Sequence, residues 1–158
     1  MMSRDRLLSA TVAGGTGNDT IVAGAGNATI TGNGGNDNVT LGSGLVALTL
    51  GTGNDTVFAG SGAATISAGT GLNVINAVNA TTDTTAYSIT GGADSDMITV
   101  GRGIFIIKGN NGTSNTGEID SITVDATATT NSSYTITGGP SSKIILSLGS
   151  STVRVRKC

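Results

Sequence analysis

Histidine and tryptophan are missing from this 158-residue chain, and proline and cysteine occur once each. Without His there is no imidazole for a catalytic triad or a nitrogen-rich metal site. A single Cys158 permits no internal disulfide. Aromatic residues are 3% of the chain, so a conventional globular core of bulky side chains is not on offer. Charged residues are 11%, too few for disorder by self-repulsion. The formal net charge is −2, and no basic stripe interleaves with aromatics, which removes the case for nucleic acid. The only basic cluster, Arg154, Arg156 and Lys157, reads as a solvated cap. No apolar run approaches the ~18 residues of a membrane span. The opening, MMSRDRLLSATV, has two Arg but no apolar stretch of signal-peptide length. Either export uses no N-terminal signal, or the sequence is a piece of something longer.

What the chain has is glycine, 26 residues of it, set in a nine-residue beat. From Gly14 it reads GGTGNDTIV, AGAGNATIT, GNGGNDNVT, LGSGLVALT, LGTGNDTVF, AGSGAATIS, AGTGLNVIN, seven units without insertion. A short Gly-based period with one apolar residue near the end of each unit marks a β-solenoid. Position 8 is always aliphatic: Ile21, Ile30, Val39, Leu48, Val57, Ile66, Ile75. β-branched residues prevail there, as a pleated strand prefers. Positions 7 to 9 are therefore expected as a short strand with position 8 facing inward, and positions 1 to 6 as turn, where Gly allows positive φ.

The beat extends both ways. Asp5–Ala13 fits one more unit upstream, with Val12 at position 8. Downstream, YSIT (from Tyr87), GGADSDMIT (from Gly91), VGRGIFIIK (from Val100), DSIT (from Asp120) and YTIT (from Tyr134) keep the unit ends while turns lengthen. The expectation is one all-β domain over 1–158, regular at 5–76 and degenerate with turn insertions at 77–158. It is a right-handed parallel β-solenoid of about eight two-strand turns, about 40 Å long at the strand spacing.

Position 6 alternates. Every other unit gives Asp19, Asp37, Asp55, Asn73, Asp96 and Asp120; the units between give Ala10, Ala28, Val46, Ala64, Tyr87, Phe105, Tyr134 and Val153. Two units thus make one turn of 18 residues, with an acidic ladder on one edge and an apolar ladder on the other. Carboxylates stacked at ~4.8 Å repel one another, so a cation is required between them. Carboxylates plus backbone carbonyls, with no His or Cys, form a hard-oxygen site suited to Ca²⁺.

At this point the chain resembles a known family. GGTGNDTIV at Gly14–Val22 matches the RTX nonapeptide G-G-x-G-x-D-x-U-x throughout; the units at Gly32 and Leu50 depart once each, and GGADSDMIT has Asp94 where the motif has Gly. The resemblance implies a β-roll with Ca²⁺ between turns, in an exported protein that folds on meeting millimolar calcium. It implies Asp19, Asp37, Asp55, Asn73 and Asp96 as side-chain positions of the metal ladder. The carbonyls come from the turns carrying Gly15, Gly17, Gly35, Gly51, Gly53, Gly69 and Gly71. Known rolls bind calcium on both edges, whereas here hydrophobic burial is expected to replace the second row. Asn73 is neutral, so weaker sites are expected beside it.

The remaining features are secondary. Outward Thr pairs (Thr29 and Thr31, Thr65 and Ser67, Ser88 and Thr90, Thr135 and Thr137) look like those of ice-binding solenoids, or are simply good exposed strand residues. Sequons at Asn18, Asn27, Asn38, Asn54, Asn79, Asn111 and Asn131 read mainly as by-products of the repeat. Ser is plentiful but no base accompanies it, so no enzyme is expected. The function expected is a calcium-stiffened structural module of an extracellular fibre, surface layer or adhesin, its partners being calcium ions and, left open, copies of itself end to end. An ice-binding module, a polysaccharide-binding β-helix and a secretion-associated fragment of a larger toxin or enzyme are the alternatives.

Overall fold

The computed structural model describes residues 9–79, 85–110, 119–126, 131–139, 141–148 and 151–157. Among them are fifteen strands and no helix. Eight form one sheet: β1 (Ala10–Gly15), β3 (Ala28–Gly34), β5 (Val46–Thr52), β7 (Ala64–Thr70), β9 (Ala86–Ala93), β11 (Ile104–Asn110), β13 (Ser133–Gly138) and β15 (Thr152–Lys157). Seven form the other: β2 (Thr20–Val22), β4 (Asn38–Thr40), β6 (Thr56–Phe58), β8 (Val74–Ala77), β10 (Met97–Val100), β12 (Ser121–Ala126) and β14 (Lys143–Leu148). The chain alternates between the sheets, and every strand pair is parallel with its neighbour one turn on, as in Ala10↔Ala28 and Thr20↔Asn38. This is a parallel β-roll, as the repeat implies. No helix of the described residues is long and apolar enough to cross a membrane.

The core is wider than a single column of position-8 residues. Strands of the eight-stranded sheet run up to eight residues, because inward–outward alternation continues past position 9 into the next unit. Positions 6, 8 and the following 1 all face inward, as in Val46, Leu48 and Leu50, or Ala64, Ile66 and Ala68. On the seven-stranded side the inward trio is the ladder Asp, the position-8 aliphatic and Leu41, Ala59 or Ala77. The expectation of turn at positions 1 to 6 fails here. Small residues at positions 1 and 6 do not announce burial in the sequence, yet they let two sheets approach with little volume between them.

The apolar ladder forms as expected: Ala28, Val46, Ala64, Tyr87, Phe105 and Tyr134 pair in sequence along the eight-stranded sheet. Its last three rings stack, Tyr87 on Phe105 at 4.7 Å and Phe105 on Tyr134 at 5.6 Å, nearly parallel at 7° and 6°. The phenol hydroxyls donate to the carbonyls of Gly60 (2.7 Å) and Gly101 (2.6 Å), which satisfies the polar ends of buried rings.

The basic cluster read as a cap is only partly described. Arg154 and Arg156 are exposed on the outward side of β15, the edge strand. Arg4, Asp5, Arg6 and Cys158, and much of the turn insertions, lie outside the described residues. Of the unit assigned upstream, the described part places Val12 opposite Ile30.

Phe105 joins both stacked pairs, so Phe105→Ala should cost about 3–5 kcal/mol of stability in saturating calcium, read as a lower denaturant midpoint.

Candidate metal ladder

The turns from the eight-stranded to the seven-stranded sheet form the acidic edge. Their glycines sit at positions 2 and 4 of each unit. Gly15, Gly51 and Gly69 hold position 2 with φ of 132°, 123° and 100°; Gly35, Gly53 and Gly71 hold position 4 with φ of 110°, 134° and 110°. Gly17 also holds position 4, in the first of these turns. Two residues break the glycine pattern without breaking the conformation. Asn33 (φ 79°) stands at position 2 and Asp94 (φ 73°) at position 4, both types that tolerate the left-handed region. Asp94 compensates, since its Oδ2 accepts the Gly71 N–H at 2.9 Å. In the rungs above, the same N–H of Gly35 and Gly53 goes to the carbonyls of Thr52 and Thr70.

The ladder side chains point into the roll. Asp37, Asp55, Asn73, Asp96 and Asp120 are each 1–2% exposed. Each reaches back one rung. Asp19 N–H donates to Asp37 Oδ1 (2.9 Å), Asp37 N–H to Asp55 Oδ1 (2.7 Å), and Asp55 N–H to Asn73 Oδ1 (3.0 Å). Asn73 N–H donates to Asp96 Oδ1 (3.0 Å) and Asp96 N–H to Asp120 Oδ1 (3.1 Å). All six expected ladder positions are therefore brought into one row. The second carboxylate oxygen behaves differently: Oδ2 of Asp19, Asp37, Asp55 and Asp96 is buried with no hydrogen-bond partner.

Two local features show what those oxygens require. The first is a hollow left by glycine at position 1. A Cβ on Gly14 would stand 2.5 Å from Asp19 Oδ2 and 3.1 Å from the Gly32 carbonyl oxygen of the next rung. A Cβ on Gly32 would meet Asp37 Oδ2 and, at 3.1 Å, the Leu50 carbonyl oxygen. Two acceptors thus face one small space with no donor between them. The second is Asn73. Its Oδ1 serves the ladder like any Asp, but its Nδ2 donates to Gly71 O at 3.0 Å. The amide supplies, two residues away at position 4, the positive end that the Asp rungs lack. Gly17, Gly35 and Gly53 hold the equivalent position beside Asp19, Asp37 and Asp55.

The donor set is thus oxygen only, one carboxylate per rung plus turn carbonyls. Among the described residues no group of three or more carboxylates converges, so backbone oxygens and water would complete any coordination shell. This set fits a hard divalent cation such as Ca²⁺. The chain has no Lys or Arg from Ala10 to Gly101, so no basic side chain from that long stretch can neutralise the row. That absence was readable in the sequence.

Other contributors were not anticipated. The position-1 residues Gly14, Gly32, Gly91 and Gly109 make the hollows. Ser142 ends the row, its Oγ donating to Asp120 Oδ2 at 3.2 Å. Outside the ladder, Asn18, Asn36 and Asn54 form a second, exposed row reaching forward, each Oδ1 accepting the backbone N–H one turn on at 2.7–2.8 Å. The 18-residue spacing of these Asn residues is visible in the sequence, where Asn18 and Asn54 read as sequons and Asn36 does not.

A parallel roll with one inward carboxylate per turn defines a metal-ladder β-roll. Residues 13–44 and 48–77 match the family model of the RTX calcium-binding nonapeptide repeat, in four copies. This span of the chain is an array of RTX repeats, and RTX nonapeptide repeats bind calcium. No curated protein and no solved structure matches the chain.

Burial raises the pKa of Asp55, with repulsion from Asp37 adding to it. Burial likewise pushes Asp96 from 3.8 up to about 7, helped by Asp120 and Asp94. The metal-free folded state therefore keeps a proton on Asp96 that the unfolded chain releases near 3.8. Between those values the folded state binds more protons, so its stability falls as pH rises and levels off above about 7. The metal-free protein should show more β-structure by circular dichroism at pH 4.5 than at pH 7.5, and calcium at pH 7.5 should reverse the loss.

Proposed function

We propose that the chain is a calcium-stiffened structural module that works outside the cell, as part of a fibre, surface layer or adhesin. The observation that carries this reading is the buried row of unpartnered Asp Oδ2 atoms. A roll that leaves these oxygens unpaired at neutral pH folds fully only where calcium is plentiful, which is the condition outside cells. Metal binding then supplies folding free energy. The RTX match supports calcium binding and a structural rather than catalytic module. Asp19, Asp37, Asp55 and Asp96 are the proposed carboxylate ligands. Turn carbonyls around Gly15, Gly17, Gly35, Gly51 and Gly53 complete the sites, and those around Gly69 and Gly71 belong to the weaker Asn73 rung.

The rest of the surface is consistent with a rod. Thr and Ser form two outward columns on the eight-stranded sheet, in register through Thr29, Thr65 and Ser88 in one and Thr31, Thr49, Ser67 and Thr90 in the other. Ala47, Ile106 and Lys108 interrupt them, which weakens the ice-binding alternative. Charge on the outward side of β15, from Arg154 and Arg156, works against pairing of that edge with a further copy.

Small-angle scattering tests the reading. In millimolar calcium the protein should scatter as a folded rod; after chelation at pH 7.5 it should expand toward the dimensions of an unfolded chain. Identical curves in both conditions would remove the proposed function.

A further inference from the structure

The roll ends differently on its two sides. Among the described strands β1 and β2 stand at the ends of their sheets, with β3 and β4 as their single neighbours. The Ala10 N–H donates to the Asn27 carbonyl, so strand alternation turns the N–H and C=O of Thr11 and Ala13 to the free side. Likewise the Asn38 N–H donates to the Asp19 carbonyl, which turns those of Thr20 and Val22 to the free side of β2. Between these two edges the core is open. A cavity of about 250 Å³ lies there, with Val12, Ile21, Val22, Ala28 and Ile30 in its wall. Ile21 is 8% exposed, whereas Val39 and Val57, one and two turns on, are sealed. The one polar side chain in the wall, Asn27, spends its carbonyl on the Leu45 N–H.

The opposite end is guarded. There β14 and β15 carry Lys143, Arg154 and Arg156, cationic edge residues of the kind that deter strand pairing. Two such ends brought together would set like charges against each other. β1 (ATVAGG) and β2 (TIV) have no charged residue and no proline. An uncharged, apolar end is complementary to itself, and two copies of it meet without burying an unpaired ion.

We propose that this end binds the same end of a second copy, in a two-fold dimer with β1 antiparallel to β1 and β2 antiparallel to β2. Both sheets then run on through the interface. The axis passes through the cavity, level with position 8 of each strand. The free backbone groups of Thr11 pair with those of Ala13 in the other copy, and those of Thr20 with those of Val22. Val12 and Ile21 each meet their own counterpart in a non-hydrogen-bonded pair, the type in which side chains approach most closely. This register keeps inward residues inward in both sheets. Asp19 stands two residues before Ile21, so the two copies of it lie on opposite sides of the axis. An isologous contact of this kind closes at two and leaves the cationic ends free. The inference goes beyond the structural module proposed above by naming a partner for it, and it does not depend on which ion fills the ladder.

Light scattering on a sizing column, in millimolar calcium, tests this. Wild type should show twice the 15.4 kDa mass of the chain. T11P removes an N–H that faces the free side and none that bonds β3, as an edge strand tolerates. V12K puts a charge into the mouth of the cavity. Each variant should halve the mass while circular dichroism retains the wild-type β signal, and R154S, at the other end, should stay dimeric. Should either variant fail to fold, hydrogen exchange on the wild-type dimer decides: the Thr11 and Val22 amides are protected if the ends meet and exchange freely if they do not. A wild-type monomer at every concentration overturns the proposal, leaving the end open or covered by the chain's own residues 1–8. Assemblies that grow beyond two copies also overturn it, since they require head-to-tail stacking. So does a dimer that survives both T11P and V12K.

Discussion

Electrostatic repulsion inside a dry, narrow roll is the constraint on which this structure depends. Adjacent carboxylates one strand spacing apart, about 4.8 Å, repel by about 3.5 kcal/mol at an effective dielectric of 20. Asp19 to Asp37, Asp37 to Asp55 and Asp96 to Asp120 are three such neighbours. Their combined repulsion is on the order of 10 kcal/mol, as large as the whole net stability of an ordinary domain. The fold closes at neutral pH only if protons or cations occupy the row. Because Ala10 to Gly101 carries no Lys or Arg, no basic side chain of that stretch supplies the cation.

Each half of a ladder carboxylate has its own task. Oδ1 is consumed by the backbone, tying one rung to the one before it. Oδ2 of Asp19, Asp37, Asp55 and Asp96 is withheld from every protein donor, whereas that of Asp120 accepts the Ser142 hydroxyl. A buried acceptor without a partner costs about 1–3 kcal/mol, more when charged, so four of them in a row are a liability unless a ligand repays it. Asn73 shows the other solution: one nitrogen in place of one oxygen, and the turn satisfies itself. On the opposite edge the chain dispenses with ions altogether. Small aliphatics and then the stacked Tyr87, Phe105 and Tyr134 close the turns by burial, a stabilisation independent of calcium.

Much of this was legible from the nine-residue beat. The inward aliphatics of position 8, the alternation of acidic and apolar edges, and the order of both ladders follow from spacing alone. The width of the core does not, because Gly32, Ala68 and Ala64 are residues that suit turns and tight packing equally well. Asp94 looked like a defect in the motif; only its left-handed backbone and its bond to the Gly71 N–H reveal a replacement. Ser142 escaped notice because the row ends on a Ser, a common residue in this chain, rather than on an Asp or Asn. The position-1 glycines were seen as part of the motif, but that their missing side chains shape the hollows is a three-dimensional fact.

The most direct test is a crystal structure of the protein grown in calcium, with anomalous diffraction to locate the ions. The account predicts an ion within the calcium–oxygen range of about 2.3–2.6 Å of Asp37 Oδ2, beside Gly32. An Asp37 Oδ2 bound instead to water or to a protein donor, with no ion near it, would contradict the account.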